Sequence, residues 1–165
     1  MRRTVLPIAV ILLTAACGGS PKAGTAVDSG GRAAEPLTAG SAFTKLSVTV
    51  TSAERSGTVT AANDPNHLLG RPNQYTSKVT FTDSRIAASD VTGTSEGDVD
   101  RGGAIEVFSD PADAKSRAKY IQAVTKSIPA FTEYDYVHGP VLVRVSHYLT
   151  PKQSAEYQAA LSNVS

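Results

Sequence analysis

Apolar residues recur at two spacings along the chain, and each spacing predicts one kind of element. Alternation of apolar and polar residues is typical of half-buried strands. It covers four segments, Ser77–Asp83, Ala104–Ser109, Glu133–Val137 and Val141–Val145. A short strand is also predicted at Thr58–Ala61, because Gly57 interrupts the pattern before it. In the first of the four segments, Lys78 belongs to the face opposite the apolar one.

Apolar spacings of three and four residues predict helices in three places. The clearest begins at Asp110, an N-cap residue, with Pro111 in the first position, where its missing N–H costs nothing. Its apolar stripe consists of Ala114, Ala118, Ile121, Val124 and Ile128. A capping box at Thr150–Gln153 begins a C-terminal helix. Another helix is predicted over Thr38–Val48, although part of this segment also alternates as a strand would.

The order of these elements predicts an α+β fold. Strands that follow one another directly favour antiparallel pairing, with helices segregated to one side. We therefore expect a small antiparallel sheet of about four strands, with two or three helices packed on one face. The strand–helix–strand order between Ala104 and Ser146 is compatible with half of a ferredoxin-like unit.

The N-terminus has the pattern of a lipoprotein signal peptide. A basic pair, Arg2 and Arg3, precedes the apolar run Val5–Leu13, and small residues at 14–16 lead to Cys17. About ten apolar residues are too few to span a bilayer, which favours a secretory signal over a membrane helix. We expect cleavage after residue 16 and a lipid such as palmitate on Cys17. A plain secreted protein and a twin-arginine signal are the alternatives.

Composition restricts the remaining chain to one neutral domain behind a tether. Residues 17–36 are rich in Gly, Ala and Ser and predict a disordered tether, and 37–165 suffice for a single core. Cys17 is the one cysteine, which excludes a disulfide framework. Cleavage lowers the basic residues from 16 to 14, against 15 acidic ones. This balance, with no Trp and 6% aromatic residues, argues against a nucleic-acid partner.

Three stretches carry a resemblance to known proteins. They are DPNHLLGRPNQYTSK at Asp64–Lys78, GGAIEVF at Gly102–Phe108 and YVHGPVLVRVS at Tyr136–Ser146. Together they resemble a group of secreted lipoproteins of actinobacteria, over a region from about Thr58 to the C-terminus. The most specific part is the pattern DPNxLLGRPxxYxSK. The resemblance implies an envelope location and one small domain, and it brings no catalytic residue.

The polar segment Asp64–Tyr75 is the candidate binding site. Pro65, Gly70 and Pro72 punctuate it, which predicts a single helical turn that buries the two leucines between them. Dense polar groups on a rigid irregular segment suit a binding site. They also suit a structural plug that covers the edge of the sheet. The candidate residues are Asp64, Asn66, His67, Arg71, Asn73 and Tyr75.

Other chemical motifs are weaker. Gly93–Gly97 matches G-x-S-x-G, in which Ser95 would be the nucleophile, but no helix is predicted after it. The loop 84–103 carries the acidic residues Asp90, Glu96, Asp98 and Asp100 without the spacing of a calcium loop. His67, His138 and His147 lack zinc-ligand spacing. We therefore expect neither a metal site nor a cofactor.

The sequence thus predicts a non-enzymatic binding or protein-interaction module, anchored by lipid to the extracytoplasmic face of the cell membrane. Its partners would be the membrane and an envelope protein or a small molecule. One alternative is an extracytoplasmic serine hydrolase that uses Ser95. Another is an accessory protein apposed to the membrane through the basic helix face formed by Lys115, Lys119 and Lys126.

Overall fold

The computed structural model describes residues 35–128 and 131–164. The predicted signal peptide at 1–16, the lipidation site Cys17 and the tether up to residue 34 lie outside the described residues. Among the helices that are described, none combines the length and apolar character needed to cross a membrane.

Five strands form one antiparallel sheet in the order β1-β2-β3-β5-β4. The strands are β1 Ala53–Thr58, β2 Ser77–Asp83, β3 Gly102–Val107, β4 Glu133–His138 and β5 Val141–Ser146. Three helices accompany them, α1 Ala39–Ser47, α2 Pro111–Ser127 and α3 Pro151–Leu161. The predicted α+β class is confirmed. Helix α2 connects β3 to β4, and β5 lies between these two strands in the sheet. The three elements β3, α2 and β4 therefore form a split β-α-β arrangement.

The helix starts are those that the sequence predicts. The Asp110 side chain accepts a hydrogen bond from the N–H of Ala112 at 2.7 Å, with Pro111 in the first turn. Thr150 and Gln153 form a reciprocal capping box, and so do Thr38 and Ser41. Each cap satisfies backbone N–H groups that have no partner inside the helix, and this fixes where the helix begins.

The first strand lies earlier than predicted. The sequence placed it at Thr58–Ala61, after Gly57, whereas β1 ends at Thr58. Its pairing with β2 shifts register between Arg55 and Gly57, which is a β-bulge. A Cβ on Gly57 would lie 2.9 Å from Thr80 Oγ1. The glycine therefore allows the bulge inside the strand instead of ending it.

The helices lie on both faces of the sheet, and not on one face as the sequence predicted. Helices α1 and α3 cover the face that carries the apolar residues of β2, β3 and β5. Their core includes Phe43, Leu46, Val79, Phe81, Ile105, Val143, Val145, Tyr157 and Leu161. Helix α2 packs with Leu142, which points to the opposite face, and with Phe108 and Tyr75. Helix α2 connects two strands of the sheet and must cover one of its faces. Because α1 and α3 already cover one face, α2 lies on the other.

Helix α2 is buried along only part of its predicted apolar stripe. Ala114, Ala118 and Ile121 are buried, whereas Val124 is 36% exposed and Ile128 is 44% exposed. The last two residues of the stripe therefore lie outside the core. Val124 instead lines an open cleft between α2 and the sheet.

Candidate functional site

The face of the sheet beneath α2 carries charged side chains at its centre. Strand pairing aligns Lys78 on β2 with Glu106 on β3. Glu106 is completely buried, and its carboxylate lies against three cations. The contacts are 3.1 Å from Lys78 Nζ, 3.2 Å from Arg117 Nε and 3.4 Å from Arg144 Nη1. Lys78, which the sequence places on the less apolar face of its strand, is therefore buried under α2.

These three cations keep Glu106 ionised. Burial alone would raise the pKa of its carboxyl group, but the charges of Lys78, Arg144 and Arg117 outweigh burial and lower the pKa. Each neighbour comes from a different element, so the carboxylate joins β2, β5 and α2 through charge-assisted hydrogen bonds.

A second pair of acids lies beside Arg144 on the edge strand β4. The Arg144 guanidinium donates two parallel hydrogen bonds to Glu133, at 2.7 and 2.8 Å. Asp135 is the cross-strand neighbour of Arg144, and both its carboxyl oxygens are buried without a hydrogen-bond donor in the described chain. Burial, with the nearby charge of Glu133, raises the pKa of Asp135 to about 8. Asp135 therefore holds its proton to a higher pH than an exposed carboxyl group does, and the protonated group can donate a hydrogen bond to Glu133.

An open cleft of about 400 Å³ lies over this charged cluster, between α2 and the segment 97–100. Its charged lining comes from the sheet and from the inner side of α2: Lys78, Arg117, Glu133 and Arg144. Its apolar lining comes from α2 and from the chain just before β4: Tyr120, Ile121, Val124 and Phe131. Tyr120 is 63% exposed and Phe131 is 61% exposed. A concave site of this size, with apolar walls and a few polar groups, is typical of small-molecule binding.

The segment 95–101 forms the acidic wall of the cleft. Asp98 accepts a hydrogen bond from the backbone N–H of Ser95 at 2.7 Å, which closes a turn. Gly97 takes a left-handed conformation with φ of 90°, which glycine adopts without strain. Asp100 follows in a short 3₁₀ helix, and its carboxylate lies 3.5 Å from His147 Nδ1. Asp98 and Asp100 both line the cleft.

The acidic loop lacks the strand-to-helix turn of a nucleophile elbow around Ser95. Ser95 lies in a turn, and the 3₁₀ helix and β3 follow it instead of the α-helix that a nucleophile elbow needs. In residues 35–128 and 131–164, no group of three or more His, Cys, Asp or Glu side chains is placed to hold a metal ion.

Two of the sequence candidates, Asp64 and Tyr75, form a buried structural pair. The Asp64 carboxylate accepts hydrogen bonds from the N–H groups of Leu68 and Leu69 at 2.8 and 2.9 Å, and from the Tyr75 hydroxyl at 2.7 Å. Burial would raise the pKa of Asp64, but these hydrogen bonds outweigh it and lower the pKa to about 2. Because both side chains are buried, they organise the segment and do not face the solvent.

The helical turn predicted in this segment does not form. Residues 64–72 are a series of turns, and the two leucines, Leu68 and Leu69, are half-buried. His67 has a positive φ of 52°, which is incompatible with a right-handed helical turn, and Asp64 binds the N–H groups that follow it. Gly70 takes a left-handed conformation, with φ of 75°.

The other four candidates are exposed and lie around three different clefts. Asn66 lines the main cleft. Asn73 lines a neighbouring cleft, of about 610 Å³, that Asn66, Arg117 and Tyr120 also border. His67 and Arg71 lie together at a smaller cleft, of about 230 Å³. The structure therefore brings Asn66 to the charged cluster and separates His67 and Arg71 from it.

Sequence reasoning missed the residues at the centre of the cleft, which are Lys78, Glu106, Arg117 and Arg144. One signal pointed to them. Arg117 lies on the apolar side of α2, between Ala114 and Ile121, where a charged residue needs a buried partner.

Comparison with protein-family models, curated proteins and solved structures finds no match to this chain. The functional argument therefore depends on the cleft itself.

Proposed function

We propose that this protein is a lipid-anchored binding protein of the extracytoplasmic face of the cell membrane, and that the cleft over Glu106 is its ligand site. The observation that carries the proposal is the set of buried charges at the base of an open cleft. A buried ion pair seldom stabilises a fold more than apolar residues of the same volume, because both charges must leave water. Charges kept at this position are thus better explained by a ligand than by stability.

The anchor is supported by the N-terminal sequence. The basic pair, the short apolar run and the small residues before Cys17 have the order of a lipoprotein signal. The resemblance to secreted actinobacterial lipoproteins supports the same location. An acylated Cys17 would hold the domain at the membrane surface without a spanning helix.

The burial and ionisation of the acidic residues beneath the cleft favour binding over catalysis. Glu106 is inaccessible, and three cations hold it ionised, so it is poorly suited to exchange protons with a substrate. The oxygens of Asp135 are buried as well. The groups that reach the cleft are suited to hold and orient a ligand.

A photo-crosslinking experiment in intact cells tests the binding function. A benzophenone amino acid replaces Tyr120 at the mouth of the cleft, and the matched control replaces Lys119, its exposed neighbour in sequence. We expect a ligand adduct, detected by mass spectrometry, at position 120 and none at 119. Equal labelling at both positions, or none at 120, would contradict the proposal.

Two further arms test the location and the hydrolase alternative. Cys17→Ala should move the protein from the membrane fraction to the soluble one, and retention in the membrane would count against the lipid anchor. A serine-reactive probe should label the wild type and Ser95→Ala equally weakly. Strong labelling that disappears in Ser95→Ala would establish the hydrolase instead.

A further inference from the structure

Arg117 is a guanidinium with unused hydrogen-bonding capacity. Its Nε donates to Glu106 at 3.2 Å, and its carbon atom lies 5.8 Å from the centre of the Tyr120 ring. Within the described chain, the two terminal nitrogens of Arg117 make no hydrogen bond, although its side chain is only 11% exposed. The residue lines this cleft and the neighbouring one, which Asn73 borders. Two adjacent guanidinium nitrogens form the fork that binds a carboxylate through two parallel hydrogen bonds.

The charge of the cleft does not favour a simple anion. Three cations line it, but so do three carboxylates, those of Asp98, Asp100 and Glu133. The buried Glu106 adds a further negative charge beneath them. A ligand with only negative charge would gain at Arg117 and lose at Asp98 and Asp100. A ligand that carries both charges gains at both walls, because the acids of segment 95–101 can accept from an ammonium group.

The third feature is the apolar wall. Tyr120, Val124 and Phe131 remain substantially exposed where they line the cleft. Removing such surface from water stabilises a complex by about 25 cal/mol per Å² of apolar area. An apolar group on the ligand would cover it.

We propose that the cleft binds a small zwitterion with an apolar side chain, of the chemical class of the apolar α-amino acids and their dipeptides. The carboxylate would bind the free nitrogens of Arg117, the ammonium group would face Asp98 and Asp100, and the side chain would contact Tyr120, Val124 and Phe131. This inference rests on the proposed binding function and names its ligand. The cleft volume of about 400 Å³ admits a molecule of this size.

Calorimetric titration of the full chain in lipid nanodiscs tests the ligand chemistry. The probes are L-phenylalanine, N-acetyl-L-phenylalanine without the positive charge, L-phenylalanine methyl ester without the negative charge, and L-serine without the apolar group. We expect L-phenylalanine to bind at least about tenfold more tightly than each of the other three, since each lacks one contact. Leucyl-leucine distinguishes a dipeptide site from a single-residue site.

Two variants locate the binding determinants. Arg117→Lys keeps a cation beside Glu106 but removes the fork, and should weaken L-phenylalanine about tenfold. Asp98→Asn keeps an acceptor for the Ser95 N–H, and should reduce the preference for L-phenylalanine over its N-acetyl form. Glu96→Gln, an exposed change in the same segment that does not line the cleft, is the matched control and should leave this preference unchanged.

Each outcome decides between the inferences. Equal affinity for L-phenylalanine and its N-acetyl form would overturn the zwitterion and leave an organic anion as the ligand of the same cleft. Unchanged affinities in Arg117→Lys and Asp98→Asn would place the ligand elsewhere. If none of the probes binds, the ligand class is wrong, whereas an adduct at position 120 in cells would still support the binding function.

Discussion

The Tyr75 hydroxyl lies 2.7 Å from each carboxylate oxygen of Asp64, and both residues are buried. This hydrogen bond connects the first of the turns between the two residues to the chain just before β2. Tyr75 also packs edge-on against Phe108, with ring centres 6.2 Å apart, and lies 5.3 Å from Lys78 Nζ. The pair therefore connects the exposed polar segment to the charged cluster under α2.

Removal of this hydrogen bond should destabilise the fold. Tyr75→Phe leaves the Asp64 carboxylate with one donor fewer, and we expect the free energy of unfolding to fall by about 1–3 kcal/mol. Urea denaturation followed by circular dichroism measures the change. Tyr148→Phe, at a residue that is 41% exposed, is the control and should cost less than about 0.5 kcal/mol. A smaller effect for Tyr75→Phe than for Tyr148→Phe would contradict a structural role for the pair.

Asp64 should also make the stability of the protein depend on pH, with its contribution lost in acid. Its pKa of about 2 lies below the ordinary value of 3.8, so the folded state favours the ionised form. The contribution is present above pH 3.8 and is lost as the pH falls towards 2. Thermal unfolding of wild type and Asp64→Asn between pH 2 and 6 should show curves that converge at low pH. Parallel curves over this range would argue against the low pKa.

A glycine in β3 should be indispensable for the packing of the sheet. A Cβ on Gly103 would lie 2.2 Å from the Arg144 carbonyl oxygen and 2.4 Å from Phe81 Cζ. Gly103→Ala should therefore destabilise the fold by about 3 kcal/mol or more, measured by urea denaturation. Gly40→Ala in α1, where the nearest atom would be 3.7 Å away, should be neutral or stabilise by about 0.5 kcal/mol. Similar losses for the two variants would show that close packing is not the cause.

Local signals in the sequence predicted the elements, while their arrangement depended on contacts that sequence spacing does not reveal. The caps at Asp110 and Thr150 fix their helices through hydrogen bonds to residues two or three positions away, and these were predicted correctly. The bulge at Gly57 depends on Thr80 of the neighbouring strand. Only the paired structure shows why that glycine continues a strand.

The cleft was not predictable for the same reason. Alternation assigned Lys78 to the less apolar face of its strand, where a polar residue ordinarily meets water. Helix α2 covers that face and supplies Arg117, so the charges become buried together. Asp64 and Tyr75 were recognised as a polar segment, but spacing could not show that they bind each other. Their burial identifies them as structural, whereas Asn66, which is exposed, borders the cleft.

The buried carboxylate Glu106 should be essential for assembly of the cleft. Glu106→Gln would leave Lys78, Arg117 and Arg144 without the charge that compensates them. Loss of one partner from a buried ion pair costs about 3–5 kcal/mol, and we expect a loss in this range by urea denaturation. Glu54→Gln on β1, where the side chain is exposed, should change stability by less than about 0.5 kcal/mol. A loss below about 1 kcal/mol for Glu106→Gln would contradict the compensating role.

Asp135 should make the protein less stable as the pH rises through neutrality. Its folded pKa of about 8 lies above the ordinary value of 3.8, because burial and the charge of Glu133 disfavour the ionised form. The stabilising contribution of the protonated group is therefore complete below pH 3.8 and is lost as the pH rises to about 8. Asp135→Asn resembles the protonated form at every pH. Relative to wild type, this variant should gain about 2 kcal/mol or more between pH 5 and 8.5, measured by urea denaturation at each pH.

The control for this effect is Glu54→Gln, the same carboxyl-to-amide change at an exposed residue, measured over the same range of pH. Because Glu133 and Asp135 interact, the proton belongs to the pair, and Glu133→Gln should change the pH at which the decline in stability ends. The variant should lower this pH, since loss of the Glu133 charge allows Asp135 to ionise more readily. A difference between wild type and Asp135→Asn that stays constant from pH 5 to 8.5 would show that Asp135 is already ionised in the folded protein. Arg144 would then lie beside three carboxylates, those of Glu106, Glu133 and Asp135, and the charge at the base of the cleft would be more negative by one.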